Sequence, residues 1–229
     1  MNALEEIIAC YDLGNQLFSF FQDWRIRKEA INILFSENRV YRVLDLGSGP
    51  GTLEPILSAK SKYVVCVDAS YLMIMRAKRV NRSLKNVNYV QAVFEYLPFR
   101  EGVIDVGIAS YSLRDSFNLV KALREAARVL KRKLVIADIG KPDGRLKSEI
   151  IGLYLKFAVP LITSTVTRKI RENPWKLLYQ TYVYLPPISI YKKLVKRIFG
   201  KVDAITFLMG AAVIIIGEKH FNASLIKDL

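Results

Sequence analysis

Histidine is almost missing from this chain. Of 229 residues only His220 is one, so an acid–base centre or zinc site built on histidine has nothing to be assembled from. Cysteine is nearly as scarce. Cys10 and Cys66 match no metal-ligand spacing, and Cys66 falls in an apolar run that reads as a buried strand. That excludes a disulfide framework, gives no expectation of a metal, and makes a reduced, cytoplasmic setting the default. Long hydrophobic runs are missing too. The most apolar helical stretch, 150–166, is interrupted by Lys156 and Pro160 and falls short of the roughly 20 residues that span a bilayer. The first nine residues carry Glu5 and Glu6 without a basic start, which argues against a secretory signal. Acidic residues are in deficit, 21 against 35 Lys and Arg, for a formal charge of +14. That balance favours an anionic partner such as nucleic acid, an acidic membrane surface or an anionic substrate. It is equally the mark of a lysine-rich surface with no specific partner.

What is present begins with composition. At 52% hydrophobic and 24% charged, a chain of this length suits one sizeable folded domain. Its most informative stretch runs Val43-Leu44-Asp45-Leu46-Gly47-Ser48-Gly49-Pro50-Gly51-Thr52. A short apolar run ends in an acid, three glycines follow at alternate positions, and a helix-like segment comes next. Glycine lets a chain turn at positive φ and lets a ligand approach the main chain, and the following helix contributes its positive end. Dinucleotide sites use the spacing G-x-G-x-x-G; here it is G-x-G-x-G. A second apolar run, Tyr63-Val64-Val65-Cys66-Val67, closes on Asp68, 17 residues after the last glycine. An acid so placed accepts hydrogen bonds from ribose hydroxyls. The residues alone also fit an ordinary strand–turn–helix unit in which the acid caps the helix over 70–81.

Strands are expected over 41–46, 63–67, 87–91, 104–110 and 134–137, with helices over 2–35 (broken near Gly14 and Asp23), 70–81 and 117–130. This alternation predicts an α/β fold, a doubly wound and mostly parallel sheet with helices on both faces. The last third differs. A long helix or helix pair, kinked or broken at Pro160, is expected over 144–171, then an aromatic stretch ending in Pro186-Pro187. A helix capped by Ser189 and ended by Gly200 follows, and an antiparallel hairpin over 202–207 and 211–216.

Several strings converge on one family. Tyr11-Asp12-Leu13-Gly14-Asn15, Asp23-Trp24-Arg25 and the basic helix from Arg27 resemble the opening of the ubiquinone/menaquinone biosynthesis C-methyltransferases, class I S-adenosylmethionine-dependent enzymes. Leu97-Pro98-Phe99, Ile104-Asp105-Val106, Leu113-Arg114, Lys121 to Glu125 and Arg128 to Lys131 follow the family order. The resemblance implies a seven-stranded Rossmann-like sheet in a single domain over 1–229. Its parts are a helical cap over 1–40, a cofactor-binding core over 41–139, an acceptor-covering helical insertion over 140–200 and the hairpin over 201–219. It implies S-adenosyl-L-methionine as cofactor, held by Asp45, Gly47, Ser48, Gly49, Gly51, Asp68, Ala69, Val93, Phe94 and Ser110. Asp45 meets the methionine amino end and Asp68 the ribose. Val93 stands where the family carries an adenine-contacting aspartate, with Phe94 covering the ring.

The implied acceptor is a small molecule, a lipid quinol, with peripheral contact to an anionic membrane. Arg114 is the candidate to stabilise a phenolate, Asp115 to orient it or take a proton, and Tyr11 to close over the cofactor. Against each stands a plain structural role: an Arg114–Asp115 pair, a helix cap, core packing. Tyr154, Phe157, Tyr179, Tyr182 and Tyr184 either line an acceptor pocket or form a helix-packed core. Strand four ends Ala109-Ser110-Tyr111-Ser112, without the N/D-P-P-Y string of base-amine methyltransferases, which argues against nucleic acid. A small-molecule O- or N-methyltransferase, an RNA methyltransferase and a non-catalytic cofactor-binding protein are the other readings.

Overall fold

In the structure, a computed structural model, residues 22–36, 40–164 and 175–219 are described. Cys10, Tyr11, Gly14 and His220 lie outside them, as do the end of the expected 144–171 helix and most of the expected first helix. Five apolar runs, each closed by a turn or a polar residue, make the parallel part of one sheet: β1 (Arg42–Leu46), β2 (Tyr63–Asp68), β3 (Val87–Gln91), β4 (Ile104–Ser110) and β5 (Leu130–Ile139). β6 (Gly200–Phe207) and β7 (Ala212–Lys219) add an antiparallel hairpin beside β5. The seven-stranded order is β3-β2-β1-β4-β5-β7-β6. Successive strands are added to one side up to β3 and to the other from β4, so the order switches between the parallel neighbours β1 and β4 and opens a crevice at their carboxyl ends.

Both faces of the sheet are covered, which is why β4 is apolar along nearly its whole length. On one face Leu44, Leu46, Ala109, Leu134 and Ile136 pack against α4 (Leu119–Val129) and α8 (Ile188–Phe199). On the other, Val43, Val64, Cys66, Ile108 and Val135 meet α1 (Gln22–Leu34) and α2 (Glu54–Lys60). α1 turns Ile26, Ala30, Ile31 and Leu34 to the sheet, a single helical stripe, and packs across β4 and β5. Its far end is fastened from below: Lys133 in β5 is buried, and its Nζ donates to Ile33 O at 2.9 Å and Ser36 Oγ at 3.1 Å. α1 begins at Gln22, next to Asp23, which lies in its first turn, where an acid favours the helix dipole; the expected break on the N-terminal side of Asp23 lies outside the described residues. α3 (Tyr71–Val80) is capped by Ser70, whose Oγ accepts from Met73 N.

Two boundaries shift for local reasons. α4 begins at Leu119 and not 117, because Asn118 Oδ1 accepts from Lys121 N as the cap and leaves Phe117 exposed. β5 begins at Leu130 and not 134, because Leu130 pairs with Ile104 across a register shift and the chain passes straight from helix to strand.

The insertion runs through α5 (Arg145–Leu153), a wider π-turn over Tyr154–Ala158, and α6 (Val159–Ser164). At Pro160 the helical run is not broken; its irregularity is the π-turn just before the proline. Pro160 is the second residue of α6, where a missing N–H is tolerated, and the π-turn takes up the misfit. α7 (Lys176–Tyr184) makes the aromatic stretch helical. Ser189 does not cap α8; it is the second residue, and its N–H donates to Asp143 Oδ1 at 3.1 Å. Gly200, at φ 101°, ends α8 as expected. Among the described residues no helix is long and apolar enough to cross a membrane.

Candidate cofactor site

The crevice between β1 and β4 holds a cavity of about 290 Å³. Its floor is the glycine loop after β1. Gly47, Gly49 and Gly51 all take positive φ, but they do different work. A Cβ on Gly49 would meet nothing within 4 Å, so this position faces open space where a ligand approaches the main chain. A Cβ on Gly51 would fall 2.5 Å from Asn81 Nδ2 and 3.0 Å from Ala77 Cα, so this glycine lets the loop pack on α3. Asn81 Nδ2 also donates to Gly51 O at 2.8 Å.

Asp68, at the end of β2, fixes the loop from the side. Its Oδ2 accepts from Gly49 N at 2.9 Å and its Oδ1 from Ser70 N at 2.8 Å. A carboxylate oxygen has further acceptor capacity, so both remain able to take ribose hydroxyls. Below the loop Asp45 is buried, and its Oδ2 has no hydrogen-bond partner. Burial, with the Glu54 carboxyl beside it, raises the Asp45 pKa well above the usual range, although Arg27 acts to lower it. An orphaned acid oxygen of this kind fits an ammonium.

The opposite wall is Ser110-Tyr111-Ser112. Tyr111 takes φ 57°, an uncommon conformation for a bulky residue. It stacks under Arg27, whose guanidinium carbon lies 4.8 Å from the ring centroid. Arg27 Nη1 donates to Ser110 Oγ at 2.8 Å, and its Nε lies 3.9 Å from Asp23 Oδ2. α1 thus delivers a largely buried cation into the cavity, where it fits an anionic ligand group. Burial pushes the Tyr111 hydroxyl pKa up, so it stays protonated as a donor.

Of the expected contact residues, Asp45, Gly47, Ser48, Gly49, Asp68, Ala69, Phe94, Ser110 and Asp115 line this cavity. Gly51, Val93 and Arg114 do not line it. Arg114, expected to reach the acceptor, is held elsewhere. Its Nη1 sits 2.7 Å from Asp138 Oδ1 and 2.6 Å from Tyr111 O, while its Nε is 3.7 Å from Asp115 Oδ1. Asp138 is next to last in β5, beside β4, so a close buried pair forms there and turns the guanidinium from the cavity. Asp115 has a side chain 54% exposed at the cavity mouth, and partial desolvation by the atoms around it outweighs the opposing pull of Arg114 and raises its carboxyl pKa.

Arg27, Tyr111 and Ser112 were not assigned roles from sequence. Arg27 had one signal, its place in the basic helix of the family opening. Tyr182 is buried and Tyr154 and Tyr179 pack beside it with Leu155 and Trp175, whereas Phe157 and Tyr184 stand exposed on the outer surface. The helix-packed core therefore takes three of the five aromatics. Tyr111 belongs to this cluster as well as to the cavity wall.

A family model described as the ubiE/COQ5 methyltransferase family matches residues 1–219. The chain is 30% identical over 230 residues to the ubiquinone/menaquinone biosynthesis C-methyltransferase UbiE of Blochmanniella pennsylvanica, covering 93% of this chain and 86% of that protein. It is 30% identical over 167 residues to the demethylmenaquinone methyltransferase of Thermotoga maritima, 71% of each. Among solved structures, a SAM-dependent methyltransferase from Aquifex aeolicus aligns with TM-score 0.59 at 18% identity, covering 95% of this chain and 98% of that one. One from Thermotoga maritima, described as a possible histamine N-methyltransferase, aligns at 0.64 and 16%, covering 95% and 98%. At those identities the structures speak for the fold alone.

Proposed function

The chain belongs to the ubiE/COQ5 methyltransferase family, and from that premise we propose that it methylates a ring carbon of a reduced ubiquinone- or menaquinone-type quinol with S-adenosyl-L-methionine. The observation that carries the reading is the match between the cavity and the cofactor. Asp68, with carboxylate acceptor capacity to spare, suits the ribose, Phe94 suits the adenine, the orphaned oxygen of Asp45 suits the ammonium, and Arg27 suits the carboxylate. When bound, the cofactor supplies a sulfonium methyl whose sulfur leaves as a neutral thioether.

The chain's own work is to place the acceptor and move its proton. Asp115, in the cavity wall with a raised carboxyl, is suited to accept a phenolic proton, directly or through water. Loss of that proton pushes electron density onto the ring carbon. Arg114 acts behind it as a positioning residue, through its 3.7 Å approach to Asp115 and its pair with Asp138. Tyr11 is assigned by the resemblance to closure over the cofactor. In the same reading the chain is one methyltransferase domain whose 140–200 insertion covers the acceptor.

A quinol with an isoprenoid tail resides in membrane, and two surfaces suit peripheral contact with an anionic bilayer from the cytoplasmic side. Lys192, Lys193, Lys196 and Lys201 border one open groove. Leu146, Ile150, Leu153, Phe157 and Leu161 stand exposed at helical spacing along α5 to α6.

The test is incubation of the protein with isotopically labelled methyl donor and a reduced demethylated quinone, a simple phenol or a free amine, followed by mass spectrometry. Label on a ring carbon of the quinol is expected. Label on the amine alone moves the assignment to a small-molecule N-methyltransferase.

A further inference from the structure

Glu54 has no evident reason to be where it is. As the first residue of α2 it occupies a position where an acid normally lies in solvent near the helix dipole, yet it is fully buried. Neither carboxylate oxygen has a well-formed hydrogen bond, although its own backbone N–H, that of Leu53 and the Cys66 thiol come close enough to favour its anion against burial. Register explains its surroundings. Asp45 of β1 and Cys66 of β2 are direct partners across the parallel ladder, so their side chains leave the same face of the sheet, and α2 lowers Glu54 onto them. One ligand-type atom from each of the three lies within 4.8 Å of the others. Two carboxyls this close in a buried site cannot both carry charge cheaply.

We propose that Glu54 is a positioning residue for the cofactor's ammonium: with Asp45 it retains a carboxyl proton in the free protein, and cofactor uptake expels that proton to solvent. The inference rests on S-adenosyl-L-methionine binding in this cavity. Asp45 lines the cavity and Glu54 lies behind it, so the arriving ammonium meets Asp45 directly and Glu54 through it. The cation supplies the charge that burial denies the pair. Both carboxyls then ionise, and Asp45 is held as a full anion against the ammonium.

Other groups act on the pair. Arg27 from α1 favours ionisation of Asp45, while Asp68 at the end of β2 opposes it at both carboxyls. The buried Cys66 thiol is raised by desolvation and by both acids, so it stays protonated and is a donor to Glu54. Tyr89 from β3 is likewise raised and neutral. Burial lifts Glu54 itself to about 7 and Asp45 well above its ordinary value. The sign follows. Below pH 7 the free pair is protonated and the bound pair is not, so binding releases a proton. Affinity then rises toward about tenfold per pH unit well below 7, and about fivefold from pH 6 to pH 7, where the free pair is already losing its proton.

The experiment is calorimetry of the full chain with S-adenosylhomocysteine, and with the methyl donor, at pH 6.0, 6.5 and 7.0 in buffers of different ionisation enthalpy. In this range the ligand's own amine, near 8 as a free α-amino group, remains protonated. The wild type is expected to release about 0.9 proton per ligand at pH 6.0, falling to about 0.5 at pH 7.0, with affinity rising about fivefold across the range. In Glu54→Gln the amide can donate to Asp45 and keep it ionised, so the slope should fall to less than half. A melting curve reports whether that near-isosteric variant is folded, and the wild-type buffer dependence stands without it. Binding heat that does not vary with buffer overturns the inference while leaving the cofactor reading intact. A wild-type slope retained in Glu54→Gln overturns it too, as does a stoichiometric metal ion lost in that variant, which would give the acids another counter-ion. No binding heat at all overturns the cofactor reading itself.

Discussion

Replacing Arg27 by alanine should uncouple the protein from one end of its cofactor. The side chain is only 11% exposed, is anchored on Ser110 Oγ at 2.8 Å and rests on Tyr111 at 4.8 Å, so its guanidinium is fixed before any ligand arrives. A carboxylate meeting it gains charge-assisted hydrogen bonds, worth about 1.5–3 kcal/mol net. At about 1.4 kcal/mol per decade, affinity should fall roughly 10- to 150-fold in Arg27→Ala. A second effect adds in the same direction. Arg27 is the cation that eases Asp45 toward its ionised form, so its loss leaves the ammonium a weaker partner.

The assay is calorimetry at neutral pH and 0.15 M salt, comparing S-adenosylhomocysteine with a decarboxylated analogue. The wild type should prefer the carboxylate form, Arg27→Ala should lose most of that preference, and Arg27→Lys should recover part of it, since a point charge cannot copy a planar fork. If the variant weakens both ligands by one common factor, or binds the carboxylate form within threefold of the wild type, the assignment of Arg27 is wrong.

Two further outcomes concern stability. Asp138→Ala leaves the buried Arg114 guanidinium without its closest counter-charge and should cost about 3–5 kcal/mol. For a chain of this size that lowers Tm by roughly 6–20 °C; a shift under 2 °C in a thermal scan would show the pair to be unimportant. Gly49→Ala and Gly51→Ala should separate binding from folding. The first adds a methyl in open space at φ 58° and should cost about 1–2 kcal/mol while weakening cofactor binding, whereas the second drives a Cβ into Asn81 and the backbone of Ala77 and should cost more. Urea unfolding with and without cofactor reads both, and the reverse order would contradict the packing described for the loop.

The sheet was legible because its signals are local. β3 and β4 fall where their apolar runs begin and end, and the glycine loop with Asp68 announced the crevice from spacing alone. The parts that were not legible depend on register and on contacts far apart in the chain. Arg27 and Ser110 are 83 residues apart, and nothing near either reveals the other. Glu54 reads as an ordinary acid at a helix start until the ladder sets Asp45 beside Cys66. Arg114 was read with its neighbour Asp115, but Asp138 takes it because β5 runs alongside β4. Ser189 resembled a cap in sequence, and Asp143, 46 residues earlier, accepts from its amide instead.

Lys133 reaches the cavity without touching it. Arg132 and Lys133 lie inside β5, and the lysine's buried ammonium holds Ile33 O and Ser36 Oγ at the end of α1. Ile33 lies six residues beyond Arg27 on the same helix, about 9 Å along its axis. A helix pinned at that end and seated along β5 cannot slide or roll freely, so the entropy of placing Arg27 is lost during folding and not at the moment of binding. Whatever affinity the cofactor's carboxylate brings is therefore realised against a receptor group that is already preorganised, and part of that preorganisation is written in the strand on the far side of the core.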